Sequence, residues 1–521
     1  MLILIHEKGR TVEKILLDGQ RIDVESANLV DQFWYLTKKY ALHTIIWVEK
    51  KYENYLNIKD LGSIFSQNNL MLSYAIESQF LPDSIGYIDQ MPFVNPNYNI
   101  KYPSWRMSTD VGGIKGETAQ KFFPIFKRIN DFGYLLNSIA KIGQQNSIFC
   151  YSQPNLLHKR ASLNFRTFDA SISDFFKFVF QFYKTEWLFV LLFCYMKYER
   201  RFPLISFLKA FFNTKYFEKT EGVDLSDLLN NKISELDQEA SLDVIIPTLK
   251  RPDYIEQTLK DLASQSFLPK KVIVIEQDPD PYGVSQLLKV TQQKWPFLIE
   301  HRFIHKVGAC RARNMALELV SAKWIFFADD DIRLSENFLK FAMCEIHRLA
   351  IKSLNVNCLE EGCSTVFPKI KQWGAFASGS SIVAAEYAKK CVFRTEFEFG
   401  FGEDTDYGLQ LRNNGLDIIY HPKVYITHLK APRGGFREPI KKPWEVGNIL
   451  PKPSPTMMLL VNSHFSEFMK KGYKIALFIK YYRRQTIKNP FVYIHVMKKR
   501  WQISEIWSRQ IDSQTSLFDE I

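Results

Sequence analysis

The chain has 521 residues, of which 46% are hydrophobic and 24% are charged, and its formal net charge is +12. This composition excludes a wholly disordered chain, and the length predicts two to three domains with sizeable cores. The positive charge favours an anionic partner, such as nucleic acid, anionic lipid headgroups or a phosphorylated substrate. The 7 cysteines lack Cys-x-x-Cys or zinc-site spacing, and there is no run of about 20 apolar residues. We therefore expect reduced thiols, no transmembrane helix and a cytoplasmic location.

Residues 1–219 are predicted to form an N-terminal α/β domain that ends in aromatic and basic helices. The apolar run Met1–His6 is too short for a signal peptide and is predicted to be the first strand. Thr44–Glu49 is predicted to be another strand. Residues 220–240 are acidic and polar, which predicts a linker.

Residues 241–440 alternate between strand-like and helix-like segments, a pattern typical of βαβ units with a parallel sheet. The predicted strands are Leu242–Pro247, Lys271–Glu276, His301–Ile304 and Trp324–Phe327. The polar residues that follow them in turn are Thr248 and Arg251, Glu276 and Asp278, Arg313 and Asn314, and Asp329 to Asp331. Because open α/β sheets bind ligands at the carboxyl ends of their strands, these groups predict one polar cleft.

Three adjacent carboxylates, Asp329, Asp330 and Asp331, follow the apolar run Trp324–Ala328. Like charges this close repel each other unless a cation or a set of hydrogen-bond donors neutralises them. A Mg²⁺ or Mn²⁺ ion that carries a substrate diphosphate meets this need, because both ions bind carboxylate and phosphate oxygens. A solvated acidic turn that caps the helix near Ser335 is the alternative interpretation.

The second half of this region adds acidic, imidazole and basic groups. Glu403 and Asp404 begin a predicted helix, where they either complement the helix dipole or supply a general base. His428 follows a predicted strand and is either a structural histidine or part of a metal shell. Arg433 and Arg437 belong to a basic loop of the kind that closes over phosphates.

Residues 441–521 are predicted to form a basic helical C-terminal region, and residues 175–212 form a second aromatic segment with basic flanks. Both segments fit helices that lie on an anionic membrane, at its inner face for a cytoplasmic protein. The alternative is that the helices pack on a neighbouring domain and keep their basic faces in water. We do not expect a nucleic-acid partner, because no recognised nucleic-acid-binding module accompanies the charge.

Residues from about 242 to 437 resemble an inverting family 2 glycosyltransferase with the GT-A nucleotide-sugar-binding fold. Four pieces occur in the family's order: Ile246-Pro-Thr248-x-x-Arg251, Arg313-Asn314, Asp329-Asp330-Asp331, and Glu403-Asp404-x-Asp406 with a later His428. Any one piece is weak evidence, whereas the order and spacing of all four are specific. The resemblance covers well under half of the chain and implies a mostly parallel GT-A sheet there.

The resemblance also implies the roles of individual residues. Those implied to bind the nucleoside-diphosphate sugar are Thr248, Arg251, Glu276, Asp278, Arg313, Asp329, Asp330, Arg433 and Arg437. Asp329, Asp331 and His428 are implied as ligands of a manganese or magnesium ion. Asp404, beside Glu403, is implied as the catalytic base. The second strand ends in Glu276-Gln-Asp278 rather than the family's usual Asp pair or Asp-Asn, which leaves the nucleotide base open.

These roles predict a metal-dependent inverting enzyme that transfers a sugar to a hydroxyl of a glycan or lipid-linked acceptor, in cell-surface polysaccharide or glycolipid assembly. One base and a metal-held leaving group predict inversion, whereas two flanking carboxylates would indicate hydrolysis. A nucleotidyltransferase that makes sugar nucleotides stays open, although the loop after the first strand lacks a glycine. A non-catalytic sugar-nucleotide-binding scaffold stays open too, although the Asp triplet argues against it.

The N-terminal region repeats the order of features found in the middle of the chain. Its segments 105–114, 131–136 and 148–158 echo segments 378–382, 404–409 and 418–428. We therefore predict a degenerate second GT-A-like unit, which has no Asp triplet and is not expected to transfer sugar. The alternative is an unrelated α/β domain with ordinary turns, and different strand orders in the two regions would establish it.

Overall fold

The computed structural model of the chain describes residues 1–158, 167–215, 217, 223–229, 239–432, 442–446 and 448–513. The chain divides into a first unit, residues 1–230 with 465–476, and a second unit, residues 231–464 with 477–521. Both units are mixed α/β, which confirms the predicted fold class. The domain boundaries expected at residues 219, 240 and 440 stay predictions. Among the described residues, no helix combines the length and hydropathy needed to span a bilayer.

The first unit contains a large sheet and several helices. Its described strands are β1 (Leu2–Glu7), β2 (Thr11–Leu17), β3 (Gln20–Ile22), β4 (Thr44–Glu49), β5 (Leu70–Tyr74), β6 (Ser78–Gln79), β7 (Tyr102–Pro103), β8 (Val111–Lys115), β9 (Phe149–Ser152) and β10 (Thr167–Phe168). Its described helices are α1 (Leu29–Lys39), α2 (Leu61–Ile64), α3 (Gly116–Gln120), α4 (Phe123–Phe126), α5 (Phe132–Gly143), α6 (Ile172–Phe182), α7 (Thr185–Cys194) and α8 (Leu204–Asn213).

The second unit contains the predicted strand–helix repeats. Its described strands are β11 (Leu242–Leu249), β12 (Lys271–Gln277), β13 (Leu298–Ile304), β14 (Trp324–Ala328), β15 (Ile332–Arg333), β16 (Ser353–Glu360), β17 (Lys371–Gln372), β18 (Ser380–Ala384) and β19 (Ile419–His428). Its described helices are α9 (Pro252–Ala263), α10 (Leu288–Thr291), α11 (Ala309–Leu319), α12 (Phe338–Arg348), α13 (Ala385–Ala388), α14 (Glu403–Asn413) and α15 (Pro455–His464), followed by α16 (Glu467–Tyr482), which is divided between the units, and α17 (Pro490–Ser513).

The sheet of the second unit has the order β13-β12-β11-β14-β18-β16-β19-β15, and β17 pairs with β19. The strands β13, β12, β11 and β14 are parallel, so that their carboxyl ends lie at one edge. β11, β12 and β14 are continuous apolar runs, as is typical of parallel strands that are buried on both faces of a sheet. Ile245, Ile273 and Phe327, one from each strand, are at most 1% exposed. The residues around Pro422 belong to the single strand β19, whose pairing with β16 contains a bulge.

The sheet of the first unit has the order β3-β2-β1-β4-β8-β5-β9-β7. The first seven strands of this sheet order, β3-β2-β1-β4-β8-β5-β9, correspond position by position to β13-β12-β11-β14-β18-β16-β19. Corresponding strands also follow each other in the same order along the chain. The pairing directions also agree along β1-β4-β8-β5-β9 and β11-β14-β18-β16-β19. The difference is that β1, β2 and β3 form an antiparallel meander, whereas β11, β12 and β13 are parallel. This agreement excludes different strand orders and supports a degenerate GT-A-like unit.

The strand register locates the counterparts of the Asp triplet in the first unit. Ile114 pairs with Ile45, just as Ile382 pairs with Phe326. Counted from these pairs, the counterparts of the three aspartates are Val48, Glu49 and Lys50. The ammonium of Lys50 forms an ion pair with Glu13 at 2.9 Å. The first unit therefore has a cation where the second unit has its third carboxylate. That the first unit does not transfer sugar stays a prediction.

Candidate active site

The candidate site lies at the carboxyl ends of the parallel strands of the second unit. β14 ends at Ala328, and Asp329 to Asp331 follow it directly. The next residues form β15, which pairs with the end of β19 so that Ile332 lies opposite His428. This pairing brings together an acidic segment and a histidine that are almost 100 residues apart in the chain.

Asp329, Asp331 and His428 form a compact cluster of potential metal ligands. One ligand atom from each residue lies within 4.8 Å of the others. His428 Nε2 is 3.2 Å from Asp331 Oδ1, and the Ala431 amide donates a hydrogen bond of 2.8 Å to Asp331 Oδ2. Two carboxylates and an imidazole are a donor set that would suit Mn²⁺, and the carboxylates would also suit Mg²⁺. These three residues are therefore the ones that would hold the ion.

Opposing effects determine the protonation state of Asp331. Burial raises the pKa of its carboxyl, but hydrogen bonds from His428 and the Ala431 amide, with the charges of His428 and Arg251, lower that pKa to about 2. Asp331 is therefore ionised at neutral pH, as a metal ligand must be.

Asp330 points away from this cluster, towards β11 and the loop that follows it. Its carboxylate accepts hydrogen bonds of 2.6 Å from the Thr248 hydroxyl and of 2.6 Å from Arg251 Nη1. The Thr258 hydroxyl donates to its carbonyl oxygen at 2.8 Å. Burial raises the pKa of Asp330 to about 6, although Arg251 and Thr248 oppose the shift. Asp330 therefore positions Thr248 and Arg251, and direct donor contacts of all three residues stay predictions.

Glu276 and Asp278, at the end of β12, are both held by neighbouring side chains. Glu276 accepts hydrogen bonds from Ser285, the Gln286 amide and His301 Nε2, the last at 2.9 Å. Burial raises the pKa of Glu276, but these partners lower it overall. Asp278 pairs with the ammonium of Lys250 at 2.8 Å, which lowers its pKa. This pair adds Lys250 to the edge of the site, although no motif identified Lys250 in advance.

Arg313 links the metal cluster to the acidic start of α14. It lies on α11, is 7% exposed, and places Nη2 3.3 Å from Asp329 Oδ1. Its guanidinium carbon lies 5.6 Å from the centre of the Phe393 ring. Its Nε makes no hydrogen bond to any described residue. The charge of Arg313 opposes the pKa rise that burial causes in both Asp404 and Glu403.

Glu403 and Asp404 begin α14, directly after Gly402, whose φ of 118° favours glycine. The Ser378 amide donates to Asp404 Oδ2 at 3.3 Å, whereas Asp404 Oδ1 makes no hydrogen bond to the described residues. Burial raises the pKa of Asp404, against the opposing charge of Arg313. Burial and the neighbouring Asp404 charge raise the pKa of Glu403 to about 7. One carboxylate oxygen of Asp404 is thus left to accept a proton.

The other acidic residue of this motif, Asp406, has a structural role. It is 1% exposed, and its carboxylate accepts hydrogen bonds from His464 Nε2 at 2.7 Å and from Gln410 at 2.7 Å. Asp406 therefore joins α14 to the end of α15. The sequence motif gives no sign that Asp404 and Asp406 face different surroundings.

The small-residue segment before β18 permits a close approach at the site. A Cβ atom at Gly379 would lie 2.0 Å from Asp329 Oδ2, so this position needs glycine. The adjoining Ser378 holds Asp404 through its backbone amide. The segment therefore lies against two site carboxylates, those of Asp329 and Asp404.

The remaining predicted residues fall outside the cluster or outside the described chain. Arg433 and Arg437 lie outside the described residues.

A residue that motif analysis missed, Glu398, is 2% exposed and accepts a hydrogen bond of 2.8 Å from the Arg311 amide. It binds the first turn of α11, the helix that carries Arg313, and has no motif or spacing that identifies it.

Residues 243–347 match the family described as Glycosyl transferase family 2. A glycosyltransferase of Rickettsia bellii (strain RML369-C), described as uncharacterized, is 26% identical over 159 residues. That alignment covers 28% of this chain and 23% of the length of the relative. The resemblance inferred from the four motifs is therefore confirmed for this part of the chain.

Two solved structures of TarS from S. aureus are also similar. One covers 54% of this chain and 55% of its own chain, with 16% identity and a TM-score of 0.35. The other, TarS 1–349 in complex with UDP-GlcNAc, covers 54% of this chain and 91% of its own, with 15% identity and a TM-score of 0.37.

Proposed function

We propose that this chain, whose residues 243–347 match the glycosyltransferase family 2 model, is a metal-dependent inverting glycosyltransferase. It would use a nucleoside-diphosphate sugar as donor and a hydroxyl of a glycan or lipid-linked acceptor. The observation that carries the proposal is the cluster of Asp329, Asp331 and His428 at the carboxyl ends of the strands. Arg313 connects this cluster to Asp404, because its guanidinium interacts with the charges of both Asp329 and Asp404.

The donor site is proposed at the edge formed by β11, β12 and β14. Thr248 and Arg251, both held by Asp330, would contact the nucleoside together with the Glu276–Asp278 segment. When bound to Asp329, Asp331 and His428, the ion would neutralise the negative charge that develops on the diphosphate. Arg433 and Arg437 are proposed to reach the same phosphates.

The acceptor is proposed to be activated by Asp404. Its Oδ1 takes the proton of the acceptor hydroxyl while the acceptor oxygen forms a bond to the anomeric carbon. The bond from that carbon to the diphosphate oxygen breaks, and its electron pair leaves with the nucleoside diphosphate. Because attack and departure occur on opposite faces, the anomeric centre is inverted. Arg313 helps to keep Asp404 ionised before the proton transfer.

The acceptor surface is proposed at the loop that precedes α14. Phe401 is 58% exposed and directly precedes Gly402, whereas Phe397 is 1% exposed and belongs to the core. An exposed aromatic ring beside the base is suited to packing on a sugar face. A role in cell-surface polysaccharide or glycolipid assembly at the inner face of a membrane is part of this proposal.

Two other activities receive less support from the site. A nucleotidyltransferase would want a glycine-rich phosphate loop after β11, but the segment Pro247–Pro252 has no glycine. A non-catalytic sugar-nucleotide binder has no need for the buried, hydrogen-bond-free Oδ1 of Asp404. The observations at Asp404 therefore favour transfer.

A thermal-shift screen tests the donor class. We expect one nucleoside diphosphate, or its sugar, to raise the melting temperature of the protein only when Mn²⁺ or Mg²⁺ is present. At a ligand concentration of 100 times Kd, the stabilisation is about 2.7 kcal/mol. Equal shifts with EDTA and with Mn²⁺ would contradict metal-dependent binding, and no shift with any nucleotide would contradict the donor class.

A further inference from the structure

The helical segment that follows the sheet of the first unit exposes a large apolar face. We define the α7–α8 face by six exposed side chains, Phe189, Phe193, Phe202, Ile205, Leu208 and Phe212. Ile205 and Phe212 are each 73% exposed, and Phe202 is 64% exposed. Soluble proteins rarely expose so many large apolar side chains together unless the surface has a partner.

The two helices present one continuous surface. α7 is apolar on all sides, so that Leu188 and Leu191 contact the core while Phe189 and Phe193 point outward. The Phe189 ring lies 5.1 Å from the Phe207 ring on α8. Phe207 itself is buried, but the Phe189 ring also lies 5.9 Å from the Phe211 ring, which lies 5.1 Å from the exposed Phe212 ring. These ring contacts link the exposed side of α7 to the exposed end of α8.

Three basic residues lie on or beside this face, together with the exposed Glu186 in the first turn of α7. Lys197 lies 5.7 Å from the centre of the Phe193 ring, Arg201 is exposed three residues before α8, and Lys209 is exposed on α8. Glu199 is an acidic residue nearby, and its carboxylate accepts a hydrogen bond of 2.6 Å from the Tyr87 hydroxyl. The rim therefore favours an anionic partner.

We propose that the α7–α8 face docks the protein on an anionic lipid bilayer. Each helix has 10 residues, about 15 Å in length, so that both lie in the interface and neither spans it. The aromatic and aliphatic side chains enter the outer part of one leaflet, while the basic rim contacts the lipid headgroups.

The basic rim distinguishes a bilayer from a second copy of the chain. In a two-fold dimer the same patch meets itself, which would place Lys197, Arg201 and Lys209 against like charges. An anionic bilayer instead compensates those charges. The inference rests on the first unit alone and does not depend on the proposed transferase activity.

Vesicle flotation of the full-length protein tests this proposal. The protein should float with vesicles of phosphatidylcholine and phosphatidylglycerol and remain unbound with phosphatidylcholine alone. The variant F193S/I205S/F212S should bind more than about 100-fold more weakly, because it removes three apolar side chains from the bilayer. The variant R201Q/K209Q should bind about 25-fold more weakly, at about fivefold for each basic residue.

The matched control is F491S/V492S/I494S, which removes exposed apolar residues from the start of α17. It should float like the wild type, and all variants should keep the wild-type melting temperature and its shift with metal and nucleotide. Three results would overturn the proposal: wild-type protein that stays unbound, R201Q/K209Q that floats normally, or loss of flotation in the α17 variant. A wild-type dimer that F193S/I205S/F212S converts to monomer, without flotation of either, would also overturn it.

Discussion

Replacement of Asp404 by Asn should abolish transfer and leave donor binding unchanged. The amide keeps the size of the side chain but cannot accept the acceptor proton at Oδ1. Because a positioned general base contributes about 10²- to 10⁴-fold, we expect kcat to fall by about 10³-fold. The measurement is the release of nucleoside diphosphate at saturating donor, with donor affinity measured by calorimetry on the same variant.

Asp406→Asn is the matched control for this experiment, because Asp406 lies on the same helix two residues later. Asp406 contacts His464 and Gln410 rather than the site. Its replacement should therefore lower the melting temperature of the protein and change kcat little. Wild-type turnover in Asp404→Asn would remove Asp404 from the role of base. A loss of donor affinity equal to the loss of kcat would instead assign Asp404 to donor binding.

The pH dependence of kcat/KM should also report the ionisation of Asp404. Burial raises the pKa of Asp404, so its ionised form appears only above the ordinary carboxyl value near 4. The acid limb of the profile should therefore lie above that value and disappear in Asp404→Asn. Asp404→Asn should also lower the pKa of Glu403, since the charge at Asp404 helps to raise it.

Replacement of Asp331 by Ala should remove metal-dependent donor binding. Asp331 supplies a carboxylate to the cluster and also contacts His428 and the Ala431 amide, so Ala leaves the site without its central anion. Even residues that only orient metal ligands contribute about 10- to 100-fold, so loss of this ligand should weaken Mn²⁺-dependent donor affinity by more than about 100-fold. Calorimetry of nucleotide binding with and without Mn²⁺ measures the effect.

The same substitution has a predictable effect on stability. The pKa of Asp331 is lowered to about 2 in the folded protein, so its ionisation stabilises the fold at pH values above the unfolded value of 3.8. This contribution, about 2 kcal/mol, is lost as the pH falls through 2. Asp331→Ala should therefore lower the free energy of unfolding at neutral pH without metal.

Glu360→Ala is the control for Asp331→Ala, because Glu360 pairs with His428 in the sheet but its side chain contacts Lys430. It should keep metal-dependent donor binding and the wild-type free energy of unfolding. Equal donor affinity in Asp331→Ala and the wild type would contradict the role of Asp331 as a ligand.

The features that the sequence predicted well depend on local patterns. β11, β12 and β14 are unbroken apolar runs, and their limits agree with the predicted strands within two residues. The polar residues at their ends come together because parallel strands place those ends at one edge. His428 joins them through the pairing of β15 with β19, which the order of the motifs implied but did not specify.

The features that the sequence did not reveal depend on tertiary contacts. Asp330 has the same sequence surroundings as Asp329 and Asp331, yet its carboxylate faces Thr248 and Arg251. The direction of each of these three side chains depends on the backbone conformation of the turn after β14, which the sequence pattern does not predict. Glu398 and Lys250 likewise enter the site from separate loops.

The relation between the two units was visible in the sequence only as a weak repetition of motifs. The shared strand order, with the register around Ile114 and Ile382, is much stronger evidence. The antiparallel meander of β1, β2 and β3 was not predicted. β2 is mostly half-exposed and buries only Ile15, whereas β12 is a buried run. From this difference and from Lys50 we expect one donor site per chain.

The most direct test of this interpretation is the anomalous scattering of Mn²⁺ in crystals of the protein grown with a nucleoside diphosphate. We predict one anomalous peak per chain, within coordination distance of Asp331 and His428, with a diphosphate oxygen on its other side. A peak at another position, or diphosphate bound in the cleft with no ion between it and Asp331, would contradict the proposed site.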